Sequence, residues 1–370
     1  MLVLDAHLRH SLAVVRSLSR AGVGIVALSH TTNHPVRWSG SRAKCVALDL
    51  QAPDALPRIV EILHSEGIGA VIPSALLGNE FLCRHRETLE PIVKAPYNDL
   101  EQFEILSQKD RTIALAQELG VPCPRSFSYH GPDSLPEILA SLEFPVVFKS
   151  TVDQGTVRYA HNADELKRIG EEFVADNASL MAQGLYPVVQ EYIEGDGHGF
   201  YGLGVDGDVR CYFMHKRMHE VPPSGGPSAM AMSWYDDDLM ELGLRFFKAT
   251  RWNGPAMVEF KKSRRDGRYY LIEVNPKFWG SLALGVAAGV DFPRHLLEIL
   301  SGADVSTRPG DYRRDFVYRW LTMDLAHSVQ ARAIPRFLGD FFRPSVHDDF
   351  EWRDPLPSLV LFLQGVRRFF

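Results

Sequence analysis

Two glutamates stand where apolar residues would be expected. Glu259 lies in the run AMVEF and Glu273 in YYLIEVN, and the second run ends in Asn275. Because alternate residues of a strand share a face, Glu273 and Asn275 point the same way. The two runs predict a hairpin that sets Glu259 opposite Glu273. This register requires a three-residue loop, 265–267, with Gly267 in the left-handed conformation.

The repulsion between two carboxylates that face each other across a hairpin has to be relieved. About 5 Å apart they repel each other, and burial strengthens the repulsion. Protonation of one carboxyl group would relieve it. A divalent cation would also relieve it, since two glutamates and an asparagine supply the oxygen ligands that Mg²⁺ prefers, together with waters and substrate phosphates. Two solvated glutamates on an exposed hairpin face are the alternative without a metal.

The elements that must position these residues alternate in type over the first part of the chain. MLVLDA, GIVALS and GAVIPS are typical of buried strands, and residues 11–19 have helical periodicity. Strand–helix–strand alternation predicts a parallel sheet with crossover helices. No GxGxxG follows the first strand, so the dinucleotide-binding fingerprint is absent and a Rossmann-like sheet without NAD is expected.

The character of the chain changes near residue 98. Two helices are predicted up to Gly120, then a buried strand, EFPVVFKS, and a helix with Asn162 as its N-cap. YPVVQEYIEG is another apolar strand, and Asp206-Gly207 predicts a tight turn between two further strands. Residues 303–370 predict a strand and helices packed on the main body.

Composition excludes several classes of protein. The chain has 370 residues, 45% of them hydrophobic, and a net charge of −6, which argues against a general nucleic-acid binder. Four scattered cysteines without a CxxC pair favour a reduced, cytoplasmic protein. The N-terminus lacks the features of a signal peptide, and no apolar run approaches the ~20 residues of a transmembrane helix, so none is expected.

The ordered set FPVVFKS, VVQEYIEG, VEF and LIEVNPKFWGS resembles the ATP-grasp superfamily, most of whose members are carboxylate–amine ligases. It is also similar to the subgroup with an Asn-Pro-Arg-Phe-Trp-Gly-Ser motif after the last metal-binding strand. The resemblance implies an α/β and α+β fold. It places a Rossmann-like domain at 1–97, an ATP-grasp domain with two lobes at 98–302 (about 98–189 and 190–302), and a mostly helical extension at 303–370.

The resemblance also implies a set of ligand-binding residues. Glu259, Glu273 and Asn275 would hold Mg²⁺ or Mn²⁺. The ATP-binding residues would be Lys109, Lys149, Gly155, Thr156, Gln190, Glu191, Tyr192, Ile193 and His198. Among these, the lysines would meet phosphates, and the backbone of Tyr192 and Ile193 would read adenine. Simpler alternatives are a snorkelling Lys149, a surface Lys109 and a surface His198 with Asp196 in its role.

Two departures from the family pattern concern catalysis. The phosphate-covering loop STVDQGTVRYA is poor in glycine, which leaves Gln154, Thr156 or Arg158 to replace backbone contacts. Lys277 stands in place of the motif arginine, so it keeps the charge but loses the planar fork at the tetrahedral intermediate.

The remaining implied residues would meet substrate. Residues 214–229 are predicted to form a mobile loop, from which Lys216 and Arg217 would reach phosphates or a substrate carboxylate. Trp279, Gly280 and Ser281 would line the acceptor pocket, with a place in the core as the alternative for Trp279.

The resemblance therefore implies an ADP-forming ligase that activates a small carboxylate as an acyl phosphate and joins it to an amine. Amino acids or small peptides are the expected substrates, and a homodimer is compatible with this interpretation. Two alternatives stay open within the same fold: a bicarbonate-dependent carboxylase, and a catalytically weak ATP-binding regulatory subunit. A third hypothesis is that SLVLFLQGVRRFF forms an amphipathic helix on a membrane surface.

Overall fold

The computed structural model describes residues 1–150, 157–223, 225–308 and 310–369. These residues form two compact units. Unit 1 consists of Met1–Phe103, His198–Met257 and Asn275–Phe370, and unit 2 of Glu104–Gly197 and Val258–Val274. This division does not test the predicted domains 1–97, 98–302 and 303–370, which stay a prediction.

Strands and helices alternate in the N-terminal part and again after residue 120. The strands are β1 (Leu2–Leu4), β2 (Val26–Ser29), β3 (Lys44–Ala47), β4 (Val71–Pro73), β5 (Ser126–Ser128), β6 (Val146–Lys149), β7 (Val157–Ala160), β8 (Val188–Glu191), β9 (Gly195–Val205), β10 (Asp208–Glu220), β11 (Ser228–Trp234), β12 (Gly254–Ser263), β13 (Tyr269–Asn275), β14 (Val317–Arg319) and β15 (Val346–Asp348).

The α-helices are α1 (Arg9–Arg20), α2 (Ala55–Ser65), α3 (Leu76–Arg84), α4 (Arg86–Leu89), α5 (Leu100–Ser107), α6 (Lys109–Glu118), α7 (Leu135–Ser141), α8 (Ala163–Asp176), α9 (Ala178–Ala182), α10 (Asp237–Thr250), α11 (Leu282–Ala288), α12 (Phe292–Leu300), α13 (Leu321–Gln330), α14 (Ile334–Gly339) and α15 (Pro355–Phe369). Short 3₁₀-helices occupy Pro35–Trp38, Pro132–Ser134 and Asp340–Phe342. Among the described residues, no helix combines the length and the apolar character needed to cross a bilayer.

The N-terminal sheet is parallel, as its alternating pattern predicted. Its order is β3-β2-β1-β4, with Leu2 paired to Val26 on one side and to Val71 on the other. Leu2 and Leu4 are at most 1% exposed and belong to an apolar cluster that α2 and α3 help to cover. Strands β1, β2 and β4 are buried throughout, as expected for a parallel sheet covered on both faces, whereas the edge strand β3 is half-buried to exposed.

The large sheet has the order β13-β12-β9-β10-β11-β14-β15. The turn between β9 and β10 uses Asp206 and Gly207 at φ 51° and 85°, as predicted for a tight hairpin. The prediction of a mobile loop over 214–229 is wrong for its two ends, 214–220 and 228–229, which lie in strands. Residues 214–220 complete β10 and pair with β11, with Arg217 facing Ala231, and β11 itself begins at Ser228.

Unit 2 contains a four-stranded antiparallel sheet of order β5-β8-β6-β7. Helix α8 packs beside it, and the Asn162 side chain caps this helix by accepting a hydrogen bond from Glu165 N at 2.9 Å. Phe148 and Val189 are at most 1% exposed within the core of this unit. The sheet therefore holds the ends of β6 and β8 rigidly, and both strands end in polar residues.

Candidate active site

A buried lysine at the end of β6 is the centre of the polar cluster in unit 2. Lys149 is 8% exposed, and its Nζ donates to Gln190 Oε1 at 2.9 Å. Gln190 lies on the neighbouring strand β8, is 3% exposed, and donates its Nε2 to Ser126 Oγ at 2.9 Å. Because both ends of its amide are engaged, Gln190 fixes the direction of the lysine ammonium.

The electrostatics of Lys149 show which charges lie around it. Loss of hydration on burial lowers its pKa to about 8, and the Lys109 and Lys261 ammonium groups act in the same direction. The carboxylates of Glu273 and Glu259 oppose the shift and raise the pKa. Both predicted metal-binding glutamates therefore lie within electrostatic reach of the same buried ammonium.

The two glutamates differ in exposure and contacts. Glu259 on β12 is only 8% exposed, whereas the Glu273 side chain on β13 is 25% exposed. Lys109 is the first residue of α6, its side chain is 14% exposed, and its Nζ lies 4.0 Å from Glu273 Oε2. Three lysines, Lys109, Lys149 and Lys261, thus interact electrostatically around the two glutamates, and ammonium groups suit a polyphosphate.

The hairpin that carries the glutamates differs from the predicted register. Gly267 has φ 72°, as expected, but Gly267 N donates to Ser263 O and Ser263 N to Arg268 O, both at 2.9 Å. Two residues therefore oppose Ser263, which is a β-bulge with glycine in the left-handed position. The predicted register, with Arg264 opposite Arg268, is off by one residue at the turn. Both carboxylates raise the pKa of the same buried ammonium, that of Lys149.

The predicted adenine-binding segment follows β8. Glu191 accepts from Arg125 Nε at 3.3 Å, and Ile193 is 8% exposed. Lys261 Nζ donates to Ile193 O at 3.2 Å and lies 4.8 Å from the centre of the Tyr192 ring. Lys261 is a site residue that sequence reasoning missed. Its signal was weak, since Lys261 is followed by Lys262 at the half-buried end of β12, where lysines are common.

The residues after β13 belong to unit 1. Asn275 is 5% exposed and, two positions after Glu273, lies on the same face of the strand. Lys277 is half-buried. Burial and, after it, the Lys277 charge lower the pKa of His10 to about 3, and the same charge acts to lower the pKa of Asp5. Burial alone acts more strongly on Asp5 and raises its pKa to about 6, while Gly78 N donates to its carboxylate at 2.8 Å. No sequence pattern indicated that Asp5 and His10 lie near Lys277.

The predicted acceptor-pocket residues lie close to a buried histidine. Ser281 Oγ is 2.8 Å from His215 Nε2, and the Tyr201 hydroxyl contacts the same nitrogen. His215 is fully buried, and burial keeps its pKa well below the usual value, so the ring is neutral. Trp279 is 1% exposed and packs 4.5 Å from the Tyr201 ring, which favours the core as its place. Gly280 is exposed, and its carbonyl accepts from Arg9 Nη2 at 3.0 Å.

Two further predicted residues lie on the central strands of the large sheet. Arg217 Nη1 donates to Glu220 Oε1 and to Gly226 O, each at 3.1 Å, so its guanidinium is engaged locally. His198 is 2% exposed on β9, opposite Lys216, and its ring lies 5.9 Å from that of Trp234. Neither residue belongs to unit 2.

The predicted phosphate loop lies partly outside the described residues. Gly155, Thr156 and Gln154 lie outside the described residues. Arg158, just after them on β7, forms an ion pair with Glu172. Within the described residues no cluster of three or more His, Cys, Asp or Glu side chains is arranged for a metal. The predicted ligand set contains two carboxylates and one amide, so any ion there would need substrate or water oxygens as well.

Comparisons with known proteins were made for sequence and fold. No family model matches the chain. The carbamoyl phosphate synthase large chain of Methanosphaerula palustris is 26% identical over 293 residues, which are 69% of this chain and 27% of the relative. The D-aspartate ligase of Enterococcus faecium is 24% identical over 263 residues, covering 65% of this chain and 61% of that enzyme. The chain thus spans less than two thirds of the length of either relative.

Solved structures share the fold more fully. The biotin carboxylase domain of the 2-oxoglutarate carboxylase of Hydrogenobacter thermophilus superposes with a TM-score of 0.68 at 18% identity, over 85% of this chain and 72% of that one. The L-amino acid ligase of Bacillus licheniformis gives 0.63 at 18% identity, over 83% and 77%. The chain has the mixed α/β fold of these ATP-grasp proteins, and relatives and neighbours together support the resemblance to that superfamily.

Proposed function

We propose that the protein is an ATP-dependent, ADP-forming ligase that joins a small carboxylate to an amine. One observation carries the proposal: the buried Lys149 is coupled to Glu259, Glu273, Lys109 and Lys261 at the end of an apolar strand. Burying an ammonium costs free energy and lowers its pKa, and perturbed groups of this kind are common at functional sites. Phosphate groups placed beside Lys149 would add to the stabilisation that Gln190, Glu259 and Glu273 give the ammonium.

In this proposal the nucleotide binds to unit 2, beside the ends of β6 and β8. Lys149 and Lys109 hold the phosphates, and Gln190 keeps the Lys149 ammonium aimed at them. Lys261 positions the backbone after β8 through its bond to Ile193 O, so that Tyr192 and Ile193 offer a fixed edge to adenine. Adenine recognition by a backbone segment needs such rigidity, because a mobile segment would lose entropy on binding.

The donor set fits a hard divalent cation. Glu259, Glu273 and Asn275 would hold it, and their oxygens are the ligand type of Mg²⁺ or Mn²⁺. When bound, the ion supplies charge neutralisation for the phosphoryl group in transfer. The biotin carboxylase neighbour was solved with MgADP, which is consistent with this assignment.

The reaction follows from these roles. A substrate carboxylate oxygen attacks the γ-phosphorus, the bond from that phosphorus to the bridging oxygen breaks, and ADP leaves. The substrate amine then attacks the acyl phosphate, the C–O bond breaks, phosphate leaves, and the amine releases a proton to solvent. Lys149 compensates charge in the first step. Lys277 is assigned to the oxyanion of the second step, and Arg217 stays a predicted contributor.

Amino acids or small peptides are the proposed substrates. The D-aspartate ligase relative and the L-amino acid ligase neighbour both act on amino acids, as their names state. Trp279, Gly280 and Ser281 stay the predicted acceptor residues. A homodimer also stays a prediction, and the biotin carboxylase neighbour was described as a dimer.

A carboxylase is the second candidate. The neighbour with a TM-score of 0.68 is a biotin carboxylase domain solved with bicarbonate. In that case bicarbonate would be the activated carboxylate, and ADP release would depend on bicarbonate and on no amino acid. The chemistry of the first step is the same for both candidates, so the Lys149 cluster does not separate them.

The test is ADP release measured with Mg²⁺ and ATP across a matrix of amino acids, with bicarbonate as a separate arm. The proposal expects release that requires one acid and one amine, with an amide product detected by mass spectrometry. Release that needs only bicarbonate would favour the carboxylase. ATP binding with no release over the whole matrix would contradict both enzymes and favour a regulatory subunit.

A further inference from the structure

The C-terminal helix α15 exposes an apolar stripe. Leu356, Leu359 and Leu363 are 55%, 48% and 52% exposed, and their spacing places them along one side of the helix. Trp352, in the turn just before the helix, is 85% exposed. We call these four side chains the α15 stripe. Single exposed leucines are common on proteins, but a run of them headed by a tryptophan is not.

The other side of α15 is packed on unit 1. Ser358 Oγ donates to Asp349 O at 3.0 Å, and Leu361 packs against the main apolar cluster. Gly365 approaches Thr322 so closely that a Cβ there would overlap the threonine side chain. Phe369 packs against a small buried cluster of Val221, Ala229 and Ala326. The helix is therefore docked by one face, and the α15 stripe is the face left over.

The exposed charges of the C-terminal segment that contains the stripe are of one sign. Among the described residues from Val329 to Phe369, every exposed charged side chain is an arginine: Arg332, Arg336, Arg343, Arg353 and Arg367. The whole chain, by contrast, has a net charge of −6. The absence of exposed acidic side chains does not come from the composition of the segment, because the segment contains five acidic residues.

The acidic residues of the segment are buried or half-buried, and each has a partner. They are Asp340 with Arg343, Asp348 with Arg319, Asp349 with Leu321 N, Glu351 with Arg16, and Asp354 with Arg16. Their charge is thus largely compensated within the protein. What faces solvent beside the apolar stripe is positive.

A second tryptophan lies next to the start of α15. The 3₁₀-helix Pro35–Trp38 packs against α15, and Trp38 is 47% exposed. Ser39 Oγ and Gly40 N donate to the Asp354 carboxylate at 2.8 and 2.9 Å, which ties this turn to the first turn of the helix. Two exposed tryptophans therefore stand near the N-terminal end of the stripe. Tryptophan prefers the boundary between water and hydrocarbon.

The same combination recurs nearby in sequence. Leu338 at the end of α14 is 54% exposed, and Phe341 and Phe342 in the turn after it are 52% and 87% exposed. Arg336 and Arg343 flank them and are exposed. Large apolar side chains and arginines thus alternate over the solvent-facing parts of the C-terminal segment.

We propose that the α15 stripe attaches the protein reversibly to the surface of an anionic lipid bilayer. Leucines and tryptophan would enter the headgroup boundary, and the exposed arginines would meet lipid phosphates. Charge decides against a second copy as the occupant. A two-fold contact would pack the stripe of one copy on the stripe of the other. Arg353 and Arg367 at its ends would then lie near arginines of the second copy, without an exposed carboxylate between them.

The test is co-sedimentation of the full chain with vesicles of phosphatidylcholine alone and of phosphatidylcholine with about 30% phosphatidylglycerol. Binding is expected to the anionic vesicles only, and to weaken at least severalfold between about 0.1 and 0.5 M salt, because salt screens the arginines. The double variant Leu359→Glu, Leu363→Glu should lose about tenfold or more in vesicle affinity. The milder Leu359→Ser, Leu363→Ser should lose less.

The matched control is Leu139→Glu on α7, a leucine that is 40% exposed in unit 2. It should bind vesicles as the unchanged protein does. Circular dichroism and thermal unfolding would show that the double variants stay folded, and ADP release in the absence of lipid should be unchanged in them. If neither the unchanged protein nor any variant releases ADP, the proposed ligase activity is contradicted, but the result on vesicle binding is unaffected.

Three outcomes would overturn the proposal. The first is no sedimentation with anionic vesicles at low salt. The second is sedimentation that both double variants and the unchanged protein share equally. The third is a dimer in analytical ultracentrifugation that the serine variant dissociates, which would assign the stripe to a second copy.

Discussion

Two of the buried polar clusters among the described residues differ in the kind of interaction that stabilises them. In unit 2, Lys149 keeps a proton and a charge although burial lowers its pKa to about 8, and carboxylates and lysines surround it. In unit 1, His215 is equally buried but neutral, and its Nε2 lies between the hydroxyl groups of Tyr201 and Ser281. One cluster is built of charges, and the other of neutral hydrogen bonds.

The difference indicates what each cluster is for. Neutral hydrogen bonds leave no buried charge to balance, so the bond between His215 Nε2 and Ser281 Oγ can hold the segment after β13 in place without a ligand. His215 Nδ1 has no hydrogen-bond partner among the described residues. Buried like charges are costly until something of opposite sign arrives. Nucleotide and metal are therefore expected to bind at the Lys149 cluster and not at the His215 cluster.

The largest expected effect is on turnover. Glu273→Gln removes a negative charge from the charged cluster with little change in shape, and ADP release should fall by about a thousandfold. Glu137→Gln, an exposed carboxylate on α7 of the same unit, is the matched control and should leave the rate unchanged. Equal rates in the two variants would remove the charged cluster from the mechanism.

The next effect is on nucleotide affinity. Lys149→Met keeps a long side chain but loses the ammonium, so ATP should bind about a hundredfold more weakly in isothermal titration calorimetry. His215→Gln in the neutral cluster should change the affinity by less than about twofold. The comparison between the clusters would fail if the histidine variant lost as much affinity as the lysine variant.

The pH dependence of ATP binding should follow Lys149. With a pKa of about 8, the ammonium loses its proton as the pH rises, and only the protonated form attracts phosphate. Affinity should therefore fall about tenfold between pH 7 and pH 9. In Lys149→Arg the guanidinium stays charged, and the decline should disappear. An unchanged decline in the arginine variant would show that another group titrates.

The smallest effect concerns the stability of unit 1 in acid. His215 is neutral in the folded chain, but in the unfolded chain it takes up a proton below its usual pKa of about 6.5. Unfolded chains then bind more protons, so the free energy of unfolding falls as the pH drops below that value, by up to about 1.4 kcal/mol per pH unit. Urea titrations at several pH values would show a shallower decline in His215→Gln. Parallel curves would mean that His215 is charged when folded.

Local patterns predicted much of this fold. Asn162 is the cap of α8, Gly207 and Gly267 have the positive φ that their turns require, and Lys149 ends its strand, all as the sequence indicated. Each of these features depends on a few adjacent residues, whose conformational preferences are strong enough to be read directly.

Long-range pairing could not be predicted in the same way. The basic run before PPSGG looks like a loop, but its partner strand β11 stabilises it as the end of β10. The bulge at Gly267 and Arg268 absorbs one residue and changes the register, which no count of loop residues reveals. Lys261 reaches a carbonyl 68 positions away in sequence, so its role depends on the folded chain.

The most direct test of the central claim is the effect of Mg²⁺ on ATP affinity, measured in the unchanged protein and in the double variant Glu259→Gln, Glu273→Gln. If these carboxylates hold the ion together with the phosphates, Mg²⁺ should tighten ATP binding by about tenfold or more in the unchanged protein and hardly at all in the variant. The same tightening in both proteins would contradict the account, because the ion would then be held elsewhere.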